Sequence, residues 1–230
     1  MRLRLGCRFE HNATSPTAAI VLVEPHFDAA GGIVAERWVS EPPVEATGYV
    51  DLYGNRCRRL VLPEGVSTFS YDALVTVSPD PEALPGPEDV QHRVEALPDE
   101  LLHWLLASRL CESDTLSEQA WELFGGTTPG VERVQAVCDW IHGNVEYGVA
   151  SVPTTATVEV FERRGGMCRD FAHLGVTFCR ALGIPARYVF GYMPDIGVPG
   201  PYPPMDFHAW FEVWLGTQWW TFDARFNVPR

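Results

Sequence analysis

Cys168, His208 and Asp223 are the three side chains whose types and placement suggest chemistry. A thiol attacks a carbonyl only as its thiolate, so it needs a base to take the proton and a third group to orient that base. Cys168 sits in Gly165-Gly-Met-Cys-Arg-Asp-Phe-Ala-His173, where two glycines precede a Cys that opens a predicted helix. Glycine admits close approach of another backbone or a substrate. A helix N-terminus offers free N–H groups and the positive end of its dipole, both favourable to a thiolate. Arg163, Arg164 and Arg169 add local positive charge. Cys168 is in helical phase with Phe171, Gly175, Cys179 and Leu182, which aims it toward the packed side at a cleft edge.

Of seven histidines, His208 is the best placed base. It begins Phe207-His-Ala-Trp-Phe-Glu-Val-Trp-Leu215, whose odd positions are apolar and whose even positions are polar or aromatic, the alternation of a strand with one buried face. Gln218–Ala224 divides in the same way. A turn over Gly216-Thr217 pairs Leu215 with Gln218, Phe211 with Phe222 and Val213 with Trp220. His208 then lies opposite Arg225 and diagonal to Asp223 on the same face, within reach at ~7–8 Å between backbones. A slip by one residue would bury Asp223 among apolar side chains, so the core pattern itself favours the His–Asp contact.

The chain that must position these groups has 230 residues, 46% of them apolar, and no apolar run near the ~18 needed to span a membrane. With 17 basic and 30 acidic side chains its net charge is −13, which repels nucleic acid and anionic membranes. All 17 basic residues are Arg. Six scattered cysteines with no C-x-x-C pair suggest reduced thiols and a soluble, cytoplasmic protein, and no paired-ligand spacing suggests zinc. Neither a metal nor a cofactor is expected.

Up to residue 78 the pattern is β-like. Ala18–Val23, Gly32–Ala35, Tyr49–Tyr53, Arg58–Leu62 and Ser67–Val77 are separated by turn formers and predict a small antiparallel β-sandwich. Residues 79–98, which open with four prolines between Ser78 and Pro87, read as a linker. Residues 99–230 then turn helical, with helices marked by Leu101–Leu106, Val131–Ile141, Thr155–Arg164 and Cys168–Leu182. Gly183 and Pro185 stop the last of them. Strands at Ala186–Tyr192, Phe207–Leu215 and Gln218–Ala224 follow.

Gly166-Met-Cys168-Arg-Asp-Phe-Ala-His, Cys179-Arg-Ala-Leu-Gly-Ile-Pro-Ala-Arg-Tyr188, His208-Ala-Trp-Phe-Glu-Val and Phe222-Asp223 occur in the order Cys, His, Asp. Together they resemble the transglutaminase-like superfamily, in particular its bacterial branch with an N-terminal β module. The resemblance runs from about Pro129 to Asn227. It implies an α+β protein with a papain-like catalytic domain, Cys168 as nucleophile, His208 as general base and acid, and Asp223 as orienting group. Two departures stand out. Ala-Arg-Phe-Asn follows Asp223 where relatives often have Pro-Thr or Ala-Thr, and bacterial relatives usually continue beyond the position of Arg230.

The expected activity is hydrolysis or acyl transfer at an amide or peptide bond of a peptide or protein substrate. Hydrolysis is preferred because water needs no acceptor site. Cross-linking to an amine and a non-catalytic peptide-binding module are the alternatives. A redox pair of Cys168 and Cys179 is excluded, because 11 helical residues separate them by about 16 Å. Gly166, Met167, Trp210 and Tyr202 are candidate cleft residues, Tyr202 lying in the stretch Pro194–Pro204, whose five prolines suggest a preformed rim.

Overall fold

The computed structural model describes residues 1–80, 82–193 and 206–228, and the chain divides into two compact units, Met1–Asp80 and Pro81–Arg230. The first contains six strands, β1 (Arg2–Ala13), β2 (Thr17–Val21), β3 (Ile33–Glu41), β4 (Ala46–Val50), β5 (Arg56–Leu62) and β6 (Gly65–Thr76). They form two three-stranded antiparallel sheets, ordered β1-β6-β3 and β2-β5-β4. Leu60, Leu62 and Phe69 from both sheets close over Ala13, Ala19, Val21 and Trp38, so the unit is a β-sandwich.

The second unit is α+β. Helices α1 (Ser117–Phe124), α2 (Val131–Asn144) and α3 (Thr157–Arg163) precede α4 (Cys168–Ala181), which feeds an antiparallel sheet ordered β11-β10-β9. Its strands are β9 (Ala186–Gly191), β10 (His208–Leu215) and β11 (Gln218–Phe222). A short parallel pair, β7 (Glu146–Tyr147) and β8 (Gly165–Gly166), holds the chain just before α4. Helix α4 is buried from Asp170 to Cys179 and lies between the sheet and the other helices. Gly175 makes its approach to the sheet possible, since a Cβ there would fall 2.5 Å from Cε1 of Phe211 on β10. The helix ends as the sequence predicts. Gly183 adopts φ +76°, Ile184 N–H donates to Cys179 O and Gly183 N–H to Arg180 O.

The structure differs from the expectation at three places. Segment 79–98 is not a free linker, because from Pro81 onward it belongs to the second unit. Gln91 donates to Leu182 O, His92 to Gly216 O, Gly216 N–H donates to Val90 O, and Leu97 is buried. Isolated anchors of this kind leave no periodic pattern. Leu101–Leu106 is a 3₁₀ turn over Asp99–Leu105 that buries Leu101 and leaves Leu102 and Leu106 exposed. Helix α1, unforeseen, is eight residues long and buries only Ala120 and Phe124. Among the described residues, no helix is long and apolar enough to cross a membrane.

Candidate functional site

Cys168 is the first residue of α4, and its position is fixed by the residue two further on. Asp170 is fully buried and accepts the Met167 N–H at 2.8 Å, which caps the helix, while the same oxygen accepts the Ser151 hydroxyl. Arg169 donates to Ser151 Oγ at 2.8 Å and Val152 O at 3.0 Å, tying the loop before α3 to the mouth of α4. Gly166 is buried against Asp170, where a Cβ would lie 2.7 Å from the Asp170 Cβ. Gly165 is similarly closed by Val149. The two glycines therefore admit the protein's own side chains. Met167 is 36% exposed at the rim.

His208, at the start of β10, is buried, and its Nε2 lies 2.7 Å from Oδ2 of Asp223. The β10–β11 pairing has the predicted register, with Phe211 opposite Phe222 and Val213 opposite Trp220. The strand does not continue to Ala224 as expected. It stops at Phe222, and residues 224–226 turn, so Asp223 reaches the imidazole from a turn. The turn holds the carboxylate by its other oxygen, with Oδ1 accepting the N–H groups of Arg225 at 3.0 Å and Phe226 at 3.2 Å. His142 of α2 donates to Arg225 O, and Asn227 N–H donates to Asp223 O. The Arg225 guanidinium lies 3.8 Å from the Tyr147 ring centroid. The Phe226 ring packs against the imidazole with centroids 5.1 Å apart, and the Trp210 ring stacks with it at 6.2 Å.

These surroundings move the thiol and the imidazole in opposite directions. Burial disfavours charge on Cys168, but its interactions with His208 and with the backbone N–H groups of Ala209 and Arg169 outweigh burial and bring the thiol below its ordinary value. Burial also disfavours charge on His208, yet the Asp223 carboxylate and Cys168 raise it to about 9. With Nε2 committed to Asp223, the nitrogen left to face the sulfur is Nδ1. By contrast, burial pushes the thiols of Cys57, Cys111, Cys138 and Cys179 up. His173 is buried beside Tyr188 and is lowered by burial to about 4, so it is neutral. The arrangement suits a thiolate–imidazolium pair steered by a carboxylate.

The three arginines near the Cys are engaged elsewhere. Arg163 donates to Gly165 O, Arg164 stacks over Trp140 and Phe161, and Arg169 holds the loop. Tyr202 and the proline-rich stretch 194–204 lie outside the described residues. Asp170 and the 223–227 turn were not assigned from sequence, although Asp at the third helical position is a capping signature. Among the described residues there is no group of three or more His, Cys, Asp or Glu able to hold a metal ion.

The model of the transglutaminase-like superfamily matches residues 118–224, a span that contains Cys168, His208 and Asp223. The crystal structure of a candidate cysteine protease from Cytophaga hutchinsonii superimposes with a TM-score of 0.81 and 32% identity, covering 100% of this chain and 78% of that one. The chain belongs to the transglutaminase-like superfamily. The periplasmic domain of TgpA from Pseudomonas aeruginosa shares the fold, with a TM-score of 0.51 and 17% identity over 99% of this chain and 73% of that domain. An uncharacterized protein of Mycobacterium tuberculosis is 30% identical over 199 residues, 80% of this chain and 63% of its own length. One from Mycobacterium leprae is 35% identical over 101 residues, 42% of this chain and 36% of its own. The chain thus spans less than two thirds of the length of these curated relatives.

Proposed function

We propose that this superfamily member is a cysteine-dependent hydrolase of amide or peptide bonds in a peptide or protein substrate. The observation that carries the reading is the 2.7 Å contact of His208 Nε2 with Asp223, which leaves Nδ1 for a thiol drawn toward ionisation. In this reading Cys168 Sγ⁻ adds to the substrate carbonyl carbon. The Cys168 N–H, in the first turn of α4 where no intrahelical acceptor exists, donates to the resulting oxyanion, a type of contact worth ~10²–10³ in rate. Imidazolium His208 then gives its proton to the departing amine as the C–N bond breaks, leaving a thioester. Neutral His208 next takes a proton from water, whose oxygen adds to the thioester. The C–S bond breaks, the acid leaves and the ion pair is restored. Met167 and Trp210 border the reacting carbonyl.

A second reading keeps the first half and lets a primary amine replace water. Its support is a 65-residue match, 38% identical, to a protein-glutamine gamma-glutamyltransferase of Pseudomonas aeruginosa, covering 26% of this chain and 10% of that protein. One experiment separates the readings. A glutamine-containing peptide is incubated with the protein, with and without millimolar methylamine, and both protein and peptide are weighed by mass spectrometry. Hydrolysis predicts a transient acyl adduct on Cys168, absent from Cys168→Ala, and conversion of amide to acid whether or not amine is present. Predominant methylamine incorporation would establish transfer instead. Complete absence of Cys168 adduct and product, across a panel of glutamine, backbone-amide and ester substrates, would overturn both.

A further inference from the structure

The N-terminal sandwich has no part in the chemistry above, yet the outer face of its β1-β6-β3 sheet carries a built feature. Along β1 the outward positions are Arg2, Arg4, Gly6 and Arg8, and across β6 the residue opposite Gly6 is Asp72, itself paired with Arg37 of β3. Arg4 and Arg8 stand about 13 Å apart along one strand, and Arg37 lies two strand spacings away, about 10 Å. The residue between them is the one with no side chain. A Cβ on Gly6 would strike Tyr71 O at 2.5 Å, so the floor is open by necessity. The result is a concavity of about 640 Å³ lined by Arg4, Arg8, Arg37, Ser70 and Asp72.

The charges in it are unequally used. Asp72 is bonded to Arg4 by both oxygens. The side chains of Arg8 and Arg37 are exposed and have no hydrogen bond or ion pair among the described residues. Two unneutralised guanidinium forks facing an open hollow are unusual in a chain of net charge −13. Glu10 and Glu41 lie one row further along the same face and bound the basic region on that side.

We propose that this hollow is a carboxylate-binding site that captures an acidic peptide segment, with Arg8 and Arg37 as its ligands. Guanidinium forks match carboxylates in a bidentate fashion. A short segment with two or three acidic side chains gains those contacts. A nucleic acid, with a charge every ~1.7 Å, meets the repulsion of the whole acidic molecule. The identification of the ligand as peptide rests on the proposed amide chemistry; the site itself does not. It gives the sandwich a role in recruiting acidic protein substrates.

The test is a binding titration with a labelled, end-blocked eight-residue peptide of alternating Glu and Gly, on the full chain in 50 mM salt. Saturable binding is expected. It weakens about fivefold or more in Arg8→Gln/Arg37→Gln and tightens in Asp72→Asn, which frees Arg4. It is unchanged in Cys168→Ala and lost in 0.5 M salt, as screening of exposed charges requires. Retention in Cys168→Ala keeps the result independent of the catalytic reading. Lack of saturation, equal binding by the double variant, or equal binding of the Lys–Gly counterpart would overturn the proposal. So would displacement by inorganic phosphate or an oligonucleotide at lower concentration than by unlabelled peptide. Self-association that depends on Arg8 and Arg37 would assign the face to a second copy of the chain.

Discussion

Replacing Asp223 by Asn keeps the shape of the orienting group and removes its charge. In the native protein, burial disfavours the imidazolium of His208, and Asp223 and Cys168 together overcome it to raise the group from 6.5 to about 9. At ~1.4 kcal/mol per unit that is about 3 kcal/mol of preference for the protonated ring. Asp223 accounts for the larger part of the upward pull, so the substitution removes more than half of that preference. Because the folded state binds this proton more tightly than the unfolded state, the stabilisation is fully present below pH ~6.5. It fades as the pH rises through about 9. Chemical-shift titration of His208, with urea unfolding from pH 5.5 to 10, reads both effects. The expected result is a His208 titration moved toward acid by one unit or more, and a stability deficit largest near pH 6 that shrinks above pH 9. A variant whose His208 still titrates near 9, or whose deficit is the same at pH 6 and pH 10, would refute the reasoning.

Three other substitutions probe the supports of the site. Gly175→Ala puts a methyl group into the Phe211 ring, and the gain in helix propensity does not compensate. A net loss of about 1–2 kcal/mol in unfolding free energy, with slower alkylation of Cys168, is expected by denaturant titration. Asp170→Ala leaves the Met167 N–H and the Ser151 hydroxyl without their acceptor in a buried place and costs about 2–3 kcal/mol by the same assay. Unchanged stability in that variant would mean that the cap is not held as described. Phe226→Ala uncovers one flank of His208 while leaving the backbone bond to Asp223 intact. Turnover of the substrate identified by mass spectrometry should fall about tenfold and recover in Phe226→Trp.

The pairing of His208 with Asp223 was legible in the sequence because an apolar face fixes a strand's register, and Phe211, Val213, Trp220 and Phe222 form such a face. The end of α4 was equally legible, because Gly183 meets a local conformational need. Less visible were features made of single contacts. Strand β1 alternates Leu3, Leu5, Cys7 and Phe9 inward with Arg2, Arg4 and Arg8 outward, a pattern masked by the density of charge. The anchoring of 86–98 depends on Gln91 and His92 bonding to carbonyls far along the chain, which no local pattern encodes. The turn 224–226 replaced a predicted strand extension because the Asp223 carboxylate gathers the two following N–H groups. Asp170 announces its capping role by position, but its burial beneath Ser151 and Gly166 is a property of the folded loop.

The central claim is that His208 draws the Cys168 thiol toward ionisation, below its ordinary value. The rate of iodoacetamide alkylation of Cys168, followed by peptide mass spectrometry from pH 5 to 10 in the wild type and in His208→Ala, tests it most directly. An ordinary thiol is only a few per cent thiolate at pH 7, and the lower nucleophilicity of a depressed-pKa thiolate offsets part of the gain from ionisation. The account predicts labelling at pH 7 about tenfold faster in the wild type than in the variant, with the wild-type profile rising at a lower pH. Superimposable profiles for the two proteins, both rising only above pH 8, would contradict it.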